Sequence, residues 1–444
     1  MTETSPTVSH YRSLFEEAAG RLPGADNSWV AEQRRAAMSR FAELGFPGPR
    51  SEEWKYTDLR PLEKRQFLLP EQPGQVTAAD VAPYLFEEPA AHRLVFVDGT
   101  YAPHLSEPIG LPAGVTVQPM SEALEAPDEN LTRHLGSYAD PEGTPFVALN
   151  TALMSDGVFV HIPAGIELET PIHLLFVSSG AVGEATANYR NLVIAEEGAS
   201  VTVVEDFMGL GEEASFTNAV TEAVAADRAR VEICKLQEET GSAYHIAAFA
   251  GQQGTDSQMV HHNIALGGRL VRNDLVDVLD AEGAYVSLNG LYLGDKRQHM
   301  DTHSRIDHLK PSSVSREYYK GILDGHARGV FNGKVVVYPE AQGTDSDQQN
   351  RNLLLSRDAE VDPKPELEIF ADDVACTHGA TVGQLDDNAL FFLRSRGLSQ
   401  QEARNLLIFG FANEVIERLG IEPLRARLEE RLLHRLPHTA AMED

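Results

Sequence analysis

Cysteine is nearly absent from this chain: two thiols, at positions 234 and 376, among 444 residues. Two cysteines so far apart make neither a disulfide framework nor a metal-finger spacing, and in a reducing compartment each is read as a free thiol. Basic charge is also scarce. Lys and Arg number 37 against 67 Asp and Glu, a formal net charge of -30, so the field around the molecule repels phosphate backbones and anionic headgroups. Nucleic acid and membrane surfaces are therefore not expected partners. No run approaches the roughly 20 apolar residues of a membrane span. The first thirty residues lack a basic start followed by an apolar stretch, and the expected location is cytoplasmic. Catalytic signatures are missing as well. There is no G-x-x-x-x-G-K-[ST], no G-x-S-x-G and no H-E-x-x-H, and Gly267 and Gly268 in "GGRLVRND" do not complete a dinucleotide fingerprint. An ordinary enzyme is disfavoured.

What is present falls into three textures. Residues 1–90 read as an N-terminal helical region. Ser28 is placed to cap a helix whose apolar stripe is Val30, Ala37, Phe41 and Leu44 and which Gly45 ends. Trp54 and Tyr56 in "RSEEWKYTDL" read as packing anchors, and a Pro- and acid-rich stretch marks a boundary near residue 90. Residues 91–386 read as a β core of short alternating runs between Gly, Asp, Asn and Pro, with almost no helical period. "EGASVTVVE", "DRARVEICK", "EGAYVSLNG" and "HARGVFNGK" share one scheme. Ala199 recurs as Ala229, and Ala284, Asn289 and Gly290 recur as Ala327, Asn332 and Gly333 at a shift of 43. Such self-similarity points to a β-solenoid, with a pair of large β-sandwiches as the alternative. Residues 387–444 turn helical again, with a Ser399 to Glu402 capping box and a second start at Pro423. The apolar face around Leu406, Leu407, Phe409 and Phe411 either docks on the chain's own core or receives a partner.

Two constellations could carry chemistry. In "QHMDTHSRIDH", His299, Asp301 and His303 alternate onto one strand face and, with His308, suggest a self-contained β-helix metalloenzyme; the competing reading is solvated surface. In "DDVACTHGATVGQL", Cys376 and His378 are two residues apart, so an extended strand points both the same way. A thiol and an imidazole suit iron in a sulfide cluster, but they supply only part of a shell, which leaves the remainder to a second subunit. The alternative is that Cys376 is a small core hydrophobe. Cys234, in "VEICKLQ", has no such sequence neighbour and reads as structural.

The stretch 362–415, "DPKPELEIFADDVACTHGATVGQLDDNALFFLRSRGLSQQEARNLLIFGFANEV", resembles the C-terminal signature of the SufB/SufD family of iron–sulfur cluster assembly proteins. "RSEEWKYTDL", "FVDGTY" at 96–101 and "GHARGVFNGKVVV" at 325–337 extend the likeness along the chain. Of the two branches, the continuation "CTHGATVGQLDD" is similar to SufD. The resemblance implies a mainly β protein, a right-handed parallel β-helix with N- and C-terminal helical regions. It implies a non-catalytic scaffold that pairs edge to edge with SufB and docks SufC, an ABC-type ATPase, on the C-terminal helices. It also implies a transient Fe–S cluster shared with SufB, built where His378 and Cys376 lie, with no cofactor in the isolated chain. A homodimer is expected when SufB is missing, and a SufB-like homodimeric scaffold is the further alternative.

Overall fold

The computed structural model describes residues 5–48, 50–86 and 91–435. The expected boundary near residue 90 lies outside the described residues. Among these, the strands form two sheets that the chain visits alternately, one ten-stranded and one nine-stranded. Neighbours within each sheet from His92 onward pair in parallel, apart from two short antiparallel strands at one end. This is the parallel β-solenoid, flanked by N-terminal and C-terminal helices.

Register gives the coil step. Ser200 pairs with Arg230, which pairs with Gln258, which pairs with Tyr285. The shift from Ala199 to Ala229 is therefore one true coil, and the Arg230 amide bonds the Ala199 carbonyl. The shift of 43 is not a coil. Ala284 precedes the strand Tyr285–Gly294 of one sheet, whereas Ala327 precedes Arg328–Val337 of the other. The same turn chemistry recurs after one and a half coils because both sheets need a small residue where the strand enters the bore.

Inward positions alternate with outward ones. The bore is filled by small and branched residues such as Val203, Ile233, Val286 and Val335. One column stacks aromatics: Phe96, Phe176 and Phe207 are register partners with ring centroids 5.2 and 4.6 Å apart.

The outer faces are covered by helices. Ser28–Leu44 is capped by Asn27, not Ser28: the Asn27 side chain accepts from the Trp29 and Val30 amides at 3.0 and 3.3 Å. With Pro6–Ala18 and Pro145–Leu153 it covers the outer face that carries Phe216, Tyr244, Ile246 and Leu270. The helices Met120–Glu125, Glu129–His134 and Pro145–Leu153 interrupt a region expected to lack helix. Pro145–Leu153 is buried on almost every side, so its sequence has no polar face and no readable period. On the other sheet, the C-terminal helices Gln400–Ile416 and Glu422–Arg435 lay Ile408, Ala412, Val415 and Leu428 over Val204, Cys234, Leu236 and Ile264. The Ser399 to Glu402 capping box forms in both directions, at 2.7 and 3.2 Å.

Candidate functional site

The final strand, Ala375–Gly383, has one neighbour among the described residues, Asp345–Leu354, with Cys376 opposite Ser346 and His378 opposite Gln348. Strand geometry points Cys376 and His378 the same way. Cys376 is half-buried and packs on the bore cluster, while His378 is exposed. The two therefore sit at the mouth of the bore. Burial pushes the Cys376 thiol up, against an opposing backbone hydrogen bond at Ser346. Behind His378, one coil and two coils back in the same column, lie Gln348 and Glu317, both buried. Gln348 Nε2 donates to Glu317 Oε2 at 2.6 Å, and burial pushes the Glu317 carboxyl up to about 7. The rim around this mouth is apolar and open to solvent: Ile369, Phe370 and Val382 are exposed. A thiol and an imidazole that share one direction can bind iron, with other donors left to another molecule.

The helical face expected to receive a partner divides in two. Phe409 and Phe411 pack against the apolar cluster beneath the helix, and the Lys320 ammonium lies 4.1 Å from the Phe411 ring centroid. Leu407 is half-buried, and Leu406 is 50% exposed. Phe391 and Phe392, on the helix Asp387–Ser395, are exposed beyond it at 73% and 56%, and sequence reasoning did not single them out.

The histidines at 299–308 do not form a metal site. His299, Asp301 and His303 share the outward face, but His308 turns to the opposite face and bonds Ser313 and Ser315 at 2.7 and 2.9 Å. Nor is the outward face solvated. The segment around Trp54 covers it: Thr57 Oγ1 meets His299 Nε2 at 2.7 Å and donates to Asp301 Oδ2 at 2.5 Å. The Arg272 guanidinium sits 2.6 Å from Asp301 and stacks 4.3 Å from the Trp54 ring. Burial alone would raise the Asp301 carboxyl, yet Arg272 and His303 hold it well below the usual carboxylate range. A guanidinium thus occupies the carboxylate that a metal would need, and "RSEEWKYTDL" acts as the latch between the N-terminal region and the solenoid.

Cys234 does have partners, supplied by the next coil. His262 is its register neighbour, and Glu232 lies two residues before it on the same outward face. One donor atom from each falls within 4.8 Å of the others, a grouping that sequence spacing missed because it spans two coils.

These features define a class. The chain matches the family model described as "SUF system FeS cluster assembly, SufBD core domain" over residues 176–411 and the "SufBD protein N-terminal region" over 6–174. It belongs to the SufBD family of iron–sulfur cluster assembly proteins. Within that family it is most like SufD. It is 32% identical to the iron–sulfur cluster assembly protein SufD of Escherichia coli (strain K12), over 98% of each chain. An iron–sulfur cluster assembly SufBD family protein of Synechocystis sp. is 36% identical over 94% of this chain and 93% of its own. Among the described residues, no helix is long and apolar enough to cross a membrane.

Proposed function

We propose that this chain is the SufD-type scaffold of a Suf assembly complex and forms one wall of a shared cluster-building site. The open mouth of the solenoid docks edge to edge on SufB. Cys376 and His378 then contribute a partial coordination shell that SufB residues complete, and a nascent Fe–S cluster forms between the two subunits. His378 is the principal donor and Cys376 the auxiliary one. The observation that supports this reading is the final strand, paired on one edge only among the described residues, which holds a thiol and an imidazole on one face beside exposed apolar side chains. The C-terminal helices between Asp387 and Arg435 dock SufC through Leu406 and Leu407, with Phe409 and Phe411 seating the helix on the sheet. ATP binding by SufC pulls the helices together and opens the paired mouths, a bistable contact biased by nucleotide. The exposed Phe391 and Phe392 widen the apolar surface available for that contact.

The test is co-purification with SufB and SufC, comparing His378→Ala with the unmodified chain. The expected result is an intact complex that no longer accumulates cluster. Loss of the complex itself would make His378 an assembly contact, and undiminished cluster formation would remove it from the chemistry. Within the complex, Cys376 should alkylate slowly at rest and readily with ATP; equal labelling in both states would end the opening mechanism.

A further inference from the structure

A second donor set lies on the outer face of the solenoid, away from the mouth. Glu232 and Cys234 project outward from the strand Arg230–Glu238, and His262 projects from its parallel neighbour Gln258–Ala265, opposite Cys234. Cys234 and His262 are 0% and 1% exposed, beneath the C-terminal helices. His262 Nδ1 makes no hydrogen bond, a costly state in a buried imidazole. His262 Nε2 lies 3.4 Å from Glu232 Oε1, and Cys234 Sγ lies 3.6 Å from the same oxygen. Donors bound to a tetrahedral zinc-class ion at 2.0–2.3 Å are separated by about 3.3–3.8 Å. Two of the three separations therefore fall in the ligand range, and the third, between Cys234 and His262, is within 4.8 Å. Glu232 is fixed by the Gly420 amide, 3.3 Å from Oε1, in the turn between the two long C-terminal helices. A Cβ at Gly420 would come 3.1 Å from Glu232 Oε2, a close approach of this turn to the carboxylate. The Glu232 side chain is 25% exposed, which leaves a path for an ion and for water.

We propose that Glu232, Cys234 and His262 bind one divalent metal ion of the zinc class, with water as the fourth ligand, at the seam between the solenoid and the C-terminal helices. The Cys234 S–H bond breaks and its proton goes to buffer. The Sγ–metal bond forms as one metal-bound water leaves, the imidazole and carboxylate replace two more, and the other waters but one are released as the six-coordinate aqua ion becomes four-coordinate. Thiolate and carboxylate together neutralise the ion, as a buried site requires. The site is independent of the cluster-building reading because its donors face outward, whereas Cys376 and His378 face the bore.

The test uses the full chain stripped by chelation and titrated with Co2+ as optical probe, then with Zn2+ as competitor. One equivalent should bind with a thiolate-to-cobalt charge-transfer band that Zn2+ abolishes. The band should persist in Cys376→Ser, vanish in Cys234→Ser, and require at least about tenfold more Co2+ in Glu232→Gln. Far-UV circular dichroism of each variant checks the fold. If Cys234→Ser does not fold, His262→Gln is the deciding variant, and it too should weaken the band's titration at least about tenfold. The proposal is overturned if the unmodified chain shows no such band, if the band survives Cys234→Ser, or if it is lost in Cys376→Ser.

Discussion

The two ends of the solenoid are built from the same coil and finished in opposite ways. At the N-terminal end, each sheet closes with an antiparallel strand: Thr100–Tyr101 on His92–Val97, and Thr116–Pro119 on Val158–Ile162. At the C-terminal end, Glu360–Ile369 and Ala375–Gly383 stand as outermost strands, half-buried to exposed. The inward residues follow suit. Near the closed end, Ile172, Leu174 and Phe176 enter the bore; on the last strand before the open end, Ser346, Gln348, Asn350 and Asn352 take those positions. An unpaired edge invites pairing with another chain. Among the described residues, free strand edges stand at the C-terminal end, beside a polar throat and a thiol–imidazole pair.

The sharpest way to break this contrast is to apply a large-to-small change in the closed half. Phe176 stacks between Phe96 and Phe207 and is 2% exposed. Phe176→Ala should cost about 3–5 kcal/mol, read from denaturant unfolding. A loss below about 1 kcal/mol would mean that this half of the bore is not close-packed and that the contrast between the ends is false.

Much of this architecture is legible in the sequence because a solenoid repeats local rules. Alternation in "EGASVTVVE" assigns inward and outward faces, and the pairing of Cys376 with His378 follows from strand period alone. What cannot be read is anything that crosses coils or is uniformly buried. Cys234 and His262 become neighbours only through a coil step that varies along the ladder. The shift of 43 relates turns in different sheets and suggests a period that no ladder has. Pro145–Leu153 is apolar all round, and the latch of Thr57 on His299 and Asp301 joins segments far apart in the chain.

A smaller effect probes the polar throat. Burial raises the Glu317 carboxyl to about 7, above the roughly 4.3 of an unfolded glutamate. For an acid raised on folding, the unfolded state loses its proton first, so stability falls as pH rises from about 4.3 to about 7 and then levels. Glu317→Gln keeps the shape and removes the ionisation. It should stabilise the chain at pH 8 by up to about 3 kcal/mol and change little at pH 4. Urea unfolding at both pH values checks this, and equal effects at the two would show that Glu317 is not the group that titrates.

The smallest effect on the chain itself is expected at the open rim, and there the contrast becomes functional. Val382 lies on the final strand and is 48% exposed. Val382→Lys should therefore shift unfolding free energy by no more than about 0.5 kcal/mol, as surface substitutions do. If the rim is where a second SufBD-family subunit docks, the same lysine places an unpaired charge in a contact that excludes water. Association, measured by sedimentation of the chain alone and by co-purification with SufB, should then fall at least about tenfold while the monomer's unfolding curve is unchanged. An unchanged complex would move the docking surface off this mouth, and a destabilised monomer would mean that the final coil belongs to the core as fully as the coils behind it.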